Sequence, residues 1–330
     1  MNIATEKNMR SLGEYAYQAI EKHWHKTVKW EKAVKKDEDP EALHQMRVGM
    51  RRLRTAISRF NPAVNLPKSS SDKNISKIAN HLGCLRDLDV LKETLENIYL
   101  PQLTVKEKKI LKKVIKNLQE QRKEAVKVVD EILKHDHYLS LKESLNNWLE
   151  TPTYKPLASL DIFQVLPDLL LPEVSIFLLH PAWMSGTEII DSKIQVINQL
   201  DSKQVELFLK RDEENLHSLR KQTKRLRYQM ELFSELYGES YGSHLAETKR
   251  IQEILGSLQD SSVLIQWLKN LFETDFEIDF EVQLPTLLQI LRENRYQLWQ
   301  EWQTLQMRYL QQETRQGLHL TILHPLSETR

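Results

Sequence analysis

The chain has 330 residues, 40% of them hydrophobic and 28% charged, and its 47 Lys and Arg nearly cancel its 46 Asp and Glu to leave a net charge of +1. With a mean hydropathy of −0.52, this composition excludes a disordered, low-complexity or membrane protein. Eight glycines argue against a turn-rich all-β fold, and the single cysteine, Cys84, excludes an internal disulfide.

Helical periodicity dominates, so the fold class is all-α. The first thirty residues lack an apolar signal core, and no run of about 18 apolar residues stands out; a soluble, cytoplasmic protein is expected. A first helix is predicted from Thr5 to Lys36. Asp39 as N-cap with Pro40 at the first helical position opens a second, which ends at Asn61 and Pro62. Ser69 to Ser71 start a third, reaching about Tyr99. Thr104 with Glu107 forms a capping box for a long helix to about His135, and a shorter one reaches Glu150. Between Thr151 and Gly186, Pro152, Pro156, Pro167, Pro172 and Pro181 interrupt apolar stretches, which predicts short helices packed at a junction. Long helices resume at about Asp201 to Tyr237, Ser243 to Phe272 and Pro285 to Arg315. An acidic stretch, TDFEIDFEV, separates the last two, and the tail from Gly317 is weakly specified. The expected organisation is a first half over 1–150, a Pro-rich junction over 151–186 and a second half over 187–330.

Self-similarity is the most specific feature. LHQMRVGMRRLRTAISRF from Leu43 matches LHSLRKQTKRLRYQMELF from Leu216, and LGCLRDLDVL from Leu82 matches LGSLQDSSVL from Leu255, both 173 positions apart. Two matches at one ungapped offset point to two copies of one helical unit. In the first copy Leu43, Met46, Met50, Leu53, Ile57 and Phe60 form an apolar seam; its counterpart is Leu216, Leu219, Thr223, Leu226, Met230 and Phe233. One residue later, about 100° around the helix, lies a basic stripe. It holds His44, Arg47, Arg51 and Arg54 in one copy and His217, Arg220, Lys224 and Arg227 in the other, broadened by Arg52 and Arg225. Each row is about 15 Å long and contains no acid. Neighbouring like charges repel, so the rows predict an anionic partner, whereas a single basic run would read as a solvated helix face.

Other constellations carry less. Gly83 and Gly256, inside predicted helices, read as points of close helix approach. Asp87 and Asp260 match in position and either orient basic side chains or form ordinary surface ion pairs. His23 with His25, and His135 with His137, have a spacing that separates their rings on a helix, so no metal site is expected. Cys84 reads as a packing residue. No phosphate loop, dinucleotide fingerprint, zinc-protease or nucleophile-elbow motif occurs, so neither catalytic residues nor a cofactor are assigned.

These residues resemble the CHAD family, the conserved histidine α-helical domain. HxxRVxxRRLR matches from His44 to Arg54, LGxxRDxDVL from Leu82 to Leu91, and HxxRKxxKRLRY from His217 to Tyr228. The resemblance implies two pseudo-symmetric antiparallel four-helix bundles whose basic stripes meet at a central groove that binds inorganic polyphosphate. Many relatives add a triphosphate-tunnel domain marked by ExExK, a motif not found here, so a stand-alone binding module is expected. The second copy departs from the first at Gln259 for Arg86 and Ser262 for Asp89, which predicts fewer orienting contacts there.

The expected partner is therefore inorganic polyphosphate, with association with polyphosphate granules as an extension. The binding residues are His44, Arg47, Arg51, Arg52, Arg54, His217, Arg220, Lys224, Arg225 and Arg227, flanked by Lys77 and its counterpart Arg250. The alternatives are nucleic-acid binding, weakened by the absence of aromatic platforms other than Tyr228 beside a stripe, and a phosphohydrolase holding a metal on Asp87 and Asp260.

Overall fold

The computed structural model describes residues 11–191, 193–197, 199–273 and 279–326. Local capping chemistry sets most helix starts. Ser11 and Glu14 exchange hydrogen bonds in a capping box that opens α1 (Leu12–Lys29), followed at once by α2 (Glu31–Lys36). The first six residues of the expected first helix, 5–10, lie outside the described residues. Asp37, at φ 51°, ends α2 in the left-handed region that Asp tolerates. Asp39 then caps α3 (Pro40–Phe60) with Pro40 at its first position.

The chain continues through α4 (Asp72–Glu93), which runs into a π-helical turn over Thr94–Tyr99. The Thr104–Glu107 capping box forms as expected and opens α5 (Val105–Lys134). Next come α6 (Asp136–Glu150) and α7 (Ile162–Leu178). The second copy comprises α8 (Ser202–Arg211), α9 (Glu213–Leu232), α10 (Glu239–Leu271), α11 (Phe280–Gln283), α12 (Pro285–Leu310) and α13 (Gln312–Leu323). Among the described residues the fold is all-α but for one short hairpin.

Three differences from the sequence reading have physical causes. The Pro-rich stretch forms short 3-10 helices at Pro156–Ser159 and Pro181–Met184, as expected, but between them one 17-residue helix, α7, with Pro167 and Pro172 inside it. A proline in a helix interior costs about 3 kcal/mol. Here complete burial of Leu166, Leu170, Val174 and Phe177 offsets that cost. The run Ile162–Met184 is also long and apolar enough to cross a membrane by length and composition, contrary to the expectation of no such run; 44% of it is buried within the protein. Second, β1 (Thr187–Ile190) and β2 (Lys193–Val196) pair antiparallel, with Asp191 at φ 49° leading the turn. Third, the weakly specified tail is helical to Leu323. The first five residues of the acidic stretch TDFEIDFEV lie outside the described residues.

The described chain falls into two compact units. One takes the residues up to Lys92 and Asn117–Leu169; the other takes Glu93–Lys116 and the residues from Leu170 onward. These differ from the expected boundaries because the chain changes unit at the end of α4, back within α5 and again within α7. In the first unit the seam Leu43, Met46, Met50, Leu53, Ile57 and Phe60 is wholly buried, and in the second the seam from Leu216 to Phe233 is buried likewise.

Close helix approach occurs at a glycine other than those expected. A Cβ on Gly49 of α3 would lie 2.8 Å from Thr27 Oγ1 and 3.0 Å from its backbone nitrogen, on α1. The nearest atoms to a Cβ on Gly83 or Gly256 belong instead to the Arg47 and Arg220 guanidiniums, at 3.5 Å, an ordinary contact. Opposite signs are therefore expected. Gly49→Ala should lose about 1–3 kcal/mol by forcing α1 and α3 apart. Gly83→Ala should be neutral or gain up to about 1 kcal/mol from helix propensity. Denaturant unfolding of the two variants compares them directly.

Candidate functional site

Each seam turns one face of its helix inward, and the stripe one residue on is left at the edge of the helix pair. The first stripe runs along α3 beside α4, and the second along α9 beside α10. In the first unit Arg47 Nη1 donates to Asp87 Oδ1 at 3.3 Å; in the second Arg220 Nη2 donates to Asp260 Oδ1 at 3.4 Å. The two pairs sit at the repeat offset and have the same shape. The guanidiniums are largely covered, with side chains 20% and 25% exposed, while the carboxylates stand in solvent at 76% and 71%. These guanidiniums lie over Gly83 and Gly256, at ordinary contact distance from where a Cβ would stand. Of the two readings left open for Asp87 and Asp260, both hold geometrically: they are surface ion pairs, and they contact the stripe.

The outer ends of the stripes are held more firmly. Arg54 makes a two-armed contact with Asp72 of α4, Nε to Oδ1 at 2.9 Å and Nη2 to Oδ2 at 3.3 Å. Arg227 donates from Nε to Gln252 Oε1 at 2.8 Å, pairs with Glu231, and lies 4.1 Å over the Tyr228 ring. Arg225 reaches the buried carboxylate of Glu173 at 3.1 Å, where Gln222 also donates. Acids absent from the rows are thus supplied in part by neighbouring positions. Arg51, Arg52 and Lys224 are half-buried along the same faces.

His44 and His217 begin the stripes. Burial pushes the His44 imidazole below its ordinary value, assisted by Arg86, Arg51 and Arg47 and opposed by Glu41. Burial likewise lowers His217, assisted by Lys221 and Arg220 and opposed by a hydrogen bond with Gln259 and by Glu213. Gln259, which replaces Arg86, therefore contacts the stripe after all.

The flanking pair is not brought to the stripes in the same way. At 100° per residue, Lys77 lies well around α4 from Asp72, Gly83 and Asp87, the residues that meet the α3 stripe. Its counterpart Arg250 is tied to Glu301 and, at 3.8 Å, to Glu253. Cys84, expected to pack, is exposed. His23 is buried and His25 exposed, as separate faces require. His135 and His137, by contrast, straddle the start of α6, where their rings stack at 5.0 Å. Among the described residues no group of three or more His, Cys, Asp or Glu could hold a metal ion.

Sequence reasoning missed a third pair at the repeat offset, Arg122 and Arg295. Arg122 of α5 donates through Nε to Asp89 of α4 at 2.6 Å and through both Nη atoms to Asp37 at 2.7 Å. Arg295 of α12 donates to Ser262 at 2.7 Å, Ser261 at 3.2 Å and Glu206 at 2.7 Å. Ser262 thus keeps the partner that Asp89 has, and the Asp-to-Ser departure removes charge rather than the contact. The signal was Glu120-x-Arg122 against Glu293-x-Arg295, 173 positions apart.

These features define a class: an all-α protein built from a repeated helical unit, each copy presenting a basic helix face. The CHAD domain profile matches residues 18–269, and the chain belongs to the CHAD family. Among solved structures, the chain is similar to the CHAD domain from the plant Ricinus communis, with a TM-score of 0.60, 24% identity, and 94% of this chain and 92% of that one covered. It is also similar to PptA from Streptomyces chartreusis, with a TM-score of 0.63, 13% identity, and 90% and 99% covered. No curated protein matches the chain.

Proposed function

We propose that the chain is a non-catalytic binding module for inorganic polyphosphate, with each stripe taking phosphate oxygens. The observation that carries this reading is the duplicated pair of a covered arginine and an exposed carboxylate. Contacts of 3.3 and 3.4 Å to solvent-exposed acids are weakly stabilising. A polyanion can displace Asp87 and Asp260 and take the preplaced guanidiniums by stronger charge-assisted forks. The firmly held Arg54, Arg225 and Arg227 then contribute field and fixed donors. Family membership supports the polyphosphate link, and recruitment to cytoplasmic polyphosphate granules is part of the proposal. Nucleic acid fits less well, because Tyr228, the aromatic beside a stripe, is 9% exposed beneath Arg227 and offers no stacking platform.

Calorimetric titration with polyphosphate of defined lengths at rising salt tests the proposal. Counterion release predicts log K falling linearly with log salt, by about 0.7–0.9 per phosphate neutralised if the polymer behaves as nucleic acids do. Affinity that is flat with salt, or a labelled oligonucleotide that polyphosphate fails to displace, would contradict it.

A pH effect follows from the two histidines. Both are held below the ordinary imidazole value in the free protein, and bound phosphate favours their protonated forms. Binding then takes up protons, so affinity should rise as pH falls from neutrality through the imidazole range. A His44→Ala, His217→Ala variant should lose that dependence; the parent's profile persisting in the variant would sink the assignment.

A further inference from the structure

The repeat supplies its own control for a second feature of the first unit. A cavity of about 150 Å³ is lined by Asn74, Lys77, Ile78 and His81 of α4, Ile132 of α5, and His135 and His137 at the start of α6. At roughly 30 Å³ per water in the liquid, that is room for about five waters. The second copy's counterparts of the polar lining residues are Glu247, Arg250, Ile254, Arg308 and Leu310. There each cation is answered by an acid: Arg250 by Glu301, and Arg308 by Glu247 at 2.5 Å. At the positions of those acids the first copy has Val128 and Asn74. The counter-charges that the second copy supplies at those two positions have no equivalent in the first, and no lining residue is acidic.

One of the imidazoles is also set as a donor. His135 Nδ1 accepts the His137 backbone N–H at 3.2 Å, which leaves Nε2 to carry the proton of the neutral ring and donate. Lys77 has no ion pair among the described residues. Ile78 and Ile132 give the cavity an apolar wall, which a bare inorganic ion would not use.

We propose that this cavity is a second anion site, separate from the stripes, for a small phosphate monoester whose apolar part lies on Ile78 and Ile132 and whose phosphate is held by Lys77, His81 and the stacked histidines. The site is independent of polyphosphate binding. Phenyl phosphate is the probe, titrated calorimetrically into the full chain. Saturable binding is expected, weakened at least about tenfold in a Lys77→Gln, His81→Gln variant and unchanged in an Arg51→Glu, Lys224→Glu variant. Inorganic phosphate should bind at least about fivefold more weakly than phenyl phosphate, because it forgoes the apolar wall. Absence of saturable binding up to about 10 mM, equal affinity for inorganic phosphate, or loss of phenyl phosphate binding in the stripe variant alone would each overturn the proposal.

Discussion

An Arg51→Glu, Lys224→Glu variant is expected to bind polyphosphate at least about a hundredfold more weakly than the parent near 0.1 M salt. Each substitution removes a charge-assisted contact, worth about 1.5–3 kcal/mol, and adds a repulsive one. Both side chains lie at the centre of their stripes, between arginines already held by Asp87 and Asp72 or by Asp260, Gln252 and Glu231. The complementary variant, Asp87→Asn with Asp260→Asn, should bind several-fold more tightly, because Arg47 and Arg220 no longer exchange a carboxylate for phosphate. That second arm also separates binding from hydrolysis. If these acids held a catalytic metal, the Asn variant would lose orthophosphate release from polyphosphate with Mg²⁺ present, and affinity would not rise. Titration and phosphate assay on the same two variants decide between them.

The parts of the molecule visible in the sequence are those where one helix face has one purpose. The seam from Leu43 to Phe60 steps by three and four because every member is buried, and the stripe follows because it is what remains beside the seam. The Asp39 and Thr104 caps are local chemistry and form as read. What escaped reading depends on contacts distant in sequence. The role of Gly83 depends on an arginine 36 residues earlier in the chain, at Arg47, so local rules assign it to helix packing. The α7 helix runs through Pro167 and Pro172 because tertiary burial outweighs propensity, a balance the local sequence does not express. The hairpin Thr187–Val196 lacks the Asn-Gly or Gly-rich turn that marks such elements. The net charge of +1 misleads for a related reason: five arginines and no acid lie between His44 and Phe60, and the acids that answer them come from Asp72, Asp87 and beyond.

Arg122→Leu should destabilise the protein by about 3–5 kcal/mol, and Arg295→Leu, its repeat counterpart, by less. The difference rests on what each substitution leaves behind. Without Arg122, the buried Asp89 and the nearby Asp37 lose their shared cation, and Asp89 Oδ2 already lacks a hydrogen-bond partner. Without Arg295, the abandoned groups are two serine hydroxyls and Glu206, whose side chain is 29% exposed and can reach water. Neutral hydroxyls cost less to strand than a carboxylate. Because Asp37 ends α2 two residues before Asp39 caps α3, the cluster also fixes where the first stripe begins. Arg122→Leu combined with Asp89→Leu should therefore recover part of the stability lost, since the pair is removed together. Urea unfolding of the three variants checks the ranking; equal losses for the two single variants would mean that the buried carboxylate is not the source of the cost.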